Sequence, residues 1–103
     1  MATLDAILVP AKERGTKVAA LAAVTSTAEI LIGHNVLLAV NADQDITIRF
    51  GPTGMAAADT TDFRIPQNVT IVFDMGRGVD YIRLFNNAAA TAANIWYLPL
   101  SKF

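Results

Sequence analysis

Cysteine is absent from this 103-residue chain, and charge, histidine and aromatic side chains are scarce. Without cysteine there is no disulfide framework and no thiolate metal site, which fits assembly in a reducing cytoplasm. Eight Lys and Arg stand against nine Asp and Glu, a net charge of −1. That balance gives no general attraction to nucleic acid or to an anionic membrane, so neither is expected as a partner. Long apolar runs are missing too. Glu29, His34 and the Lys12–Lys17 segment interrupt every window before it reaches the ~20 residues of a membrane-spanning helix. The opening "MATLDAILVPAKERG" carries Asp5 and Pro10 and no basic leader ahead of a long apolar stretch, so it does not read as a secretory signal.

The residues that chemistry would need are also missing their companions. His34 is the one histidine, and a general base or a metal site needs further groups around it. Ser26 and Ser101 lie in no Gly-x-Ser-x-Gly elbow. "GPTGM" (51–55) lacks the Gly-Lys-Ser/Thr of a phosphate loop, and "MGRG" (75–78) reads as a hairpin link. Asp59, Asp62, Asp74 and Asp80 flank strands with no spacing that sets up paired-carboxylate catalysis. In "NADQD" (41–45), polar groups at alternate positions match the opening of a calcium loop. Position 6 would then be Ile46 instead of glycine, and position 12 Thr53 instead of glutamate, so the match fails. Asn41 and Asp43 read as turn residues of a hairpin between two apolar strands. No cofactor and no enzymatic activity are expected.

What the chain does have is apolar surface. It is 53% hydrophobic and 17% charged, with a mean hydropathy of +0.41, against roughly 25% charge in ordinary soluble domains. Either alanine-rich stretches inflate the figure, or part of the surface is buried against other subunits or a partner.

From residue 28 onward the hydrophobic period is two. "DITIRF" sends Ile46, Ile48 and Phe50 to one face. "VTIVFD" sends Val69, Ile71 and Phe73 one way, with Val72 an exception on the other. "DYIRLF" sets Ile82 and Leu84 against Tyr81, Arg83 and Phe85. This is strand alternation, broken by Gly, Pro, Asn and Asp clusters at short intervals, and it predicts an antiparallel β-sandwich or small barrel. Pro66 and Pro99 are expected at strand ends or edges. Three stretches are apolar on both faces: "VAALAAV" (18–24, strand or short helix), "NVLLAV" (35–40) and "NIWYL" (94–98). Such strands need a covering loop or a neighbouring subunit. In the last of them Trp96 and Tyr97 point to opposite faces, one to the core and the other free as an interface anchor or a sugar-stacking platform.

Residues 1–15 read as an arm ahead of a single domain, 16–103. Leu4, Ile7, Leu8 and Val9 need a place to bury, on the chain's own sandwich or on a neighbour. Lys12 and Arg14 are candidate polar partners at a protein contact.

The stretch "IPQNVTIVFDMGRGVDYIRLFNNAAATAANIWYLPLSK" (65–102) carries a texture of its own. A strand follows Ile-Pro and ends Phe-Asp; then come "DYIRLFN", an alanine-rich loop and a closing "ANIWYLPLS". Over about residues 35 to 103 it resembles small structural proteins of tailed bacteriophages, in particular head decoration (cement) proteins. The resemblance implies a jelly-roll-like sandwich forming a homotrimer on the outer capsid surface of a virion, made in the host cytoplasm. There it would clamp the major capsid protein, with Leu4, Ile7, Leu8, Val9, Lys12 and Arg14 as anchoring residues. A phage tail or neck adaptor, or a receptor- or carbohydrate-binding module, are the alternatives. The loop "GPTGMAAADTTD" is where a receptor site would be sought.

Overall fold

The computed structural model describes residues 9–10, 16–33, 36–76 and 79–101, with Val9, Pro10 and Ser101 described by their backbone alone. The described chain is all-β. In order, its strands are β1 Val9–Pro10, β2 Thr16–Leu21, β3 Ile30–Leu31, β4 Val36–Ala42, β5 Ile46–Gly51, β6 Phe63–Ile65, β7 Ile71–Met75, β8 Tyr81–Asn86 and β9 Ala93–Ser101. They form two antiparallel sheets. In sheet A, β9 is flanked on one side by β4 and then β7, and on the other by β1 and β2 lying end to end. Sheet B runs β3–β8–β5–β6.

Alternation builds the core between the sheets. Leu38, Val40 and Ala42 of β4 and Ala93, Ile95 and Tyr97 of β9 point inward from sheet A. Ile46 and Ile48 of β5, Ile65 of β6 and Ile82 and Leu84 of β8 meet them from sheet B. Each is a β-branched, aliphatic or aromatic residue at every second position, which suits a pleated half-buried surface. Phe50 and Phe73 pack with ring centroids 4.9 Å apart, and Phe63 meets Phe73 edge-on at 5.4 Å. This aromatic file closes the side of the sandwich where β6 and β7 lie. Asn86 is fully buried at the other end of β8, and its amide donates to Leu21 O and Thr91 O. The buried polar group is thereby satisfied, as the low local dielectric demands.

Three expectations are corrected. "NADQD" is a turn, but not a hairpin: β4 belongs to sheet A and β5 to sheet B, so the chain crosses between layers there. The same holds after Met75, where β7 of sheet A hands over to β8 of sheet B. Turn residues announce a reversal, while the partner on each side is chosen by long-range packing. Pro99 lies inside β9, an interior strand. It sits opposite Leu38 of β4, on a strand whose other neighbour changes from β2, last paired at Tyr97, to β1, first paired at Leu100. The missing donor is tolerated at that interruption. Finally, "VAALAAV" is a strand only to Leu21. The register shifts between Val18 and Leu21, Ala20 and Val24 take positive φ, and the chain turns away.

Candidate protein-docking face

The outer faces of the two sheets differ in kind. Sheet B presents Thr47 and Arg49 of β5 and Tyr81, Arg83 and Phe85 of β8 away from the core. The chain covers them with its own loops, residues 22–29 and 52–62, through polar contacts. Thr47 Oγ1 donates to Asp59 O at 2.7 Å. Arg49 Nε donates to Asp62 at 3.0 Å, with Asp59 3.6 Å from the same guanidinium. Arg83 donates to the carbonyls of Thr27 (2.9 Å) and Met55 (3.1 Å), joining both loops to the sheet. Ser26 Oγ accepts from Ala58 N at 3.1 Å. The Glu29 carboxylate accepts from Gly54 N and from Met55 N at 2.9 Å. "GPTGMAAADTTD" is therefore a cover strapped to sheet B by these bonds.

Sheet A turns outward a different set. The strand register arranges it in rows: Asp74, Leu37 and Leu100; then Val72, Ala39 and Leu98; then Asn41, Trp96 and Lys17. Apart from Asp74, the first two rows offer only hydrocarbon, with nothing a loop backbone could hydrogen-bond. In the third row Asn41 Nδ2 donates to Thr70 Oγ1 at 2.9 Å, and Lys17 Nζ lies 5.5 Å from the centroid of the Trp96 ring, a cation–π contact. Trp96 is 42% exposed, while its neighbour Tyr97 is buried at 8%. Tyr97 is thus the core aromatic and Trp96 the free one. Between them Ala39, Asn41, Thr70, Trp96 and Leu98 frame a shallow groove of about 250 Å³.

The polarity of this face is graded. Beyond Trp96, Asn94 N and Nδ2 donate to the Asp43 carboxylate at 2.8 and 2.9 Å, and Asn94 Oδ1 accepts from Ala20 N at 3.0 Å. The backbone donor of Asn94 first, and its side chain next, hold the Asp43 carboxyl below its ordinary range. The acidic turn thus locks the positive-φ bend of β2 to β9. It works as a structural clasp. Toward the opposite rim, where Ser101 pairs with Val36 and Val9, Leu37 and Leu100 lie in a row that ends in the exposed Asp74.

A second hollow lies among the turns: a cleft of about 390 Å³ lined by Gln44, Asp45, Thr60, Arg64, Gln67 and Asn87 among others. Asp45 accepts from Gln67 N at 2.8 Å and from Arg64, and these bonds lower its carboxyl pKa. Asn87 Oδ1 is buried there without a hydrogen-bond partner. Among the described residues no group of three or more His, Asp and Glu is gathered for a metal, and no helix is long and apolar enough to cross a membrane.

Of the sequence-derived contact residues, Leu4, Ile7, Leu8, Lys12 and Arg14 lie outside the described residues, as does His34. Val9 is placed by its backbone, paired with Ser101 on the chain's own sheet A. The residues that reasoning about an arm missed are Leu37, Val72, Leu98 and Leu100. Their signal was present in the doubly apolar strands and in Val72 as an exception to alternation. Comparison of the chain with protein-family models, with curated proteins and with solved structures found no match.

Proposed function

We propose that the chain is a non-enzymatic structural protein of a tailed-bacteriophage virion, a capsid decoration protein that stabilises the major capsid protein shell as a homotrimer. The observation that carries this reading is the apolar outer face of sheet A, on a sandwich that covers its other outer face itself. Hydrocarbon at Leu37, Ala39, Leu98 and Leu100, on the outward side of two interior strands, is what an assembly subunit needs and what a free monomer would replace with polar groups. The strand orders support a jelly roll, the two-layer fold the resemblance implies. Two layers of four strand positions are linked by a chain that switches sheet at most connections, as in the paired Greek keys of that fold. Closed cyclic symmetry would present the same face in identical contacts around the ring, and repetition over a shell makes weak contacts act together.

The test is sedimentation of the purified chain with empty shells of the cognate major capsid protein. Saturable co-sedimentation, with a rise in the shell's melting temperature, is the expected result. Absence of binding to shells, with binding to neck or tail complexes or to glycans instead, would transfer the function to the adaptor or receptor-binding reading.

A further inference from the structure

We infer that the cleft among the turns binds a neutral sugar residue, held by the Asp45–Arg64 pair and by the carboxamide of Asn87. The cleft shares no lining residue with the groove on sheet A, so sugar binding here adds to the decoration reading and does not rest on it.

Four segments build the walls. Gln44 and Asp45 come from the turn before β5, and Thr60 from the 52–62 loop. Arg64 and Gln67 come from β6 and the turn after it, and Asn87 and Ala88 from just past the end of β8. Each wall is fixed by bonds that need no ligand. Asp45 O accepts from Asn87 N at 3.0 Å, and the Asp45 carboxylate accepts from Gln67 N and from Arg64. The buried Asn86 side chain accepts from Ala88 N at 2.8 Å. Asp59 N donates to Asp62 and Thr61 N to Asp59, both at 2.9 Å, which closes the turn that carries Thr60. A ligand therefore meets a formed site and pays little for ordering it. The cleft's volume of about 390 Å³ suits a small molecule.

Charge and ring content narrow the class. Asp45 and Arg64 are the two ionisable side chains among the described lining residues, and they neutralise each other. An anion would have to displace Asp45 from the guanidinium, and a cation would find the carboxylate engaged. No aromatic ring is among those residues for a nucleobase to stack on. The walls offer neutral donors and acceptors.

Capacity points to hydroxyls. A carboxylate has about four acceptor sites and a guanidinium about five donors, and the Asp45–Arg64 contact leaves some of each unused, side by side. Adjacent hydroxyls of a sugar ring both donate and accept, so one gives to Asp45 while the next receives from Arg64. Gln44, Thr60 and Gln67 add partners of both kinds around the rim.

Asn87 carries the inference furthest. Its Oδ1 is buried and receives no hydrogen bond, an arrangement that lowers stability. A broken local rule beside a cleft of hydrogen-bonding groups is the mark of a site where stability is given up for binding. The terminal torsion of an asparagine is soft. A small turn of the carboxamide brings Oδ1 to the cleft, where a sugar hydroxyl donates to it.

The test is an amide chemical-shift titration of the full-length chain with methyl α-glucoside, methyl α-galactoside and methyl α-mannoside, and separately with sodium phosphate. At least one glycoside should give saturable shifts at residues 44–45, 60, 64, 67 and 87–88, and phosphate none there. Asn87→Leu keeps the branching of the side chain and removes the acceptor. It should melt no lower than the wild type and bind that glycoside at least tenfold more weakly. An oligosaccharide of the same sugar separates two sources: tighter binding assigns a glycan chain, equal binding a free sugar, and either supports the inference. Cleft residues that respond to no glycoside overturn it, as does a cleft that responds to phosphate instead. It is also overturned if Asn87→Leu and Asn87→Ala both melt well below the wild type, because the oxygen then serves the fold. If neither variant folds, Thr60→Val on the exposed rim must weaken binding at least threefold, and unchanged binding overturns the inference. No shell enters these measurements, so failure here leaves the decoration reading to its own test.

Discussion

The two outer faces of this sandwich solve the same problem in opposite ways. Sheet B is covered by its own chain, and the cover is held by polar groups: two arginines, a buried threonine, Ser26 and Glu29 reach loop backbone or loop carboxylates. Sheet A offers aliphatic groups and Trp96, which can bury but cannot tether. A loop ordered over hydrocarbon alone must recover its backbone entropy from area, whereas a loop ordered by charge-assisted bonds has directional anchors. One face is finished within the subunit. The other is the face we propose for assembly.

That contrast can be broken from the covered side first. Arg83→Met should be the costliest change, because it removes a half-buried cation that ties two loops to β8 and leaves the Thr27 and Met55 carbonyls without their donor. We expect about 3 kcal/mol lower stability in urea unfolding, with the loops around residues 22–29 and 52–62 losing hydrogen-exchange protection. Thr47→Val keeps the shape of a fully buried side chain and deletes its bond to Asp59 O, for about 1–2 kcal/mol by the same measurement. Gly54→Ala puts a side chain at φ +87°, where no steric neighbour interferes, so the cost is the backbone conformation alone, about 1 kcal/mol.

On the open side the order of effects inverts. Leu98→Lys should change the stability of the isolated subunit by less than ~1 kcal/mol while abolishing self-association in sedimentation velocity. If it instead destabilises the monomer as strongly as Arg83→Met, the face is internal packing and the comparison fails. The smallest effect is acidic. Asp43 and Asp45 have folded pKa values below their ordinary 3.8. Their stabilising contribution is thus complete above that value and is lost as pH falls through the lower folded one. Unfolding monitored from pH 5 down to pH 2 should show this loss, and Asp43→Asn should flatten the part that comes from the clasp to Asn94.

Much of the fold was legible from alternation. Ile46, Ile48, Ile71, Phe73, Ile82 and Leu84 all fall on the core side that their spacing predicts, because a strand's two faces follow from the pleat alone. The turn at Asn41–Asp45 was legible as a turn but not as a crossing between sheets, since turn chemistry is local and strand partnership is not. Pro99 misled because an interior strand can change neighbours along its length. The apolar outer face of sheet A was half legible: "NVLLAV", "NIWYL" and Val72 announce apolar groups on both faces, but which three strands lie side by side cannot be read from a period.

By itself, the sequence determined the class of this protein: β over the described residues, without a cysteine framework and with a high hydrocarbon content for its charge. Those properties belong to composition and to a two-residue period, both of which are local. Only the tertiary structure decided that Leu37, Leu98 and Leu100 stand together beside Trp96 on one surface, and that Arg49, Thr47 and Arg83 close the other. Both outcomes depend on strand order and register. These are set by contacts between residues far apart in the chain, where a shift of one position would have turned every outward leucine into the core.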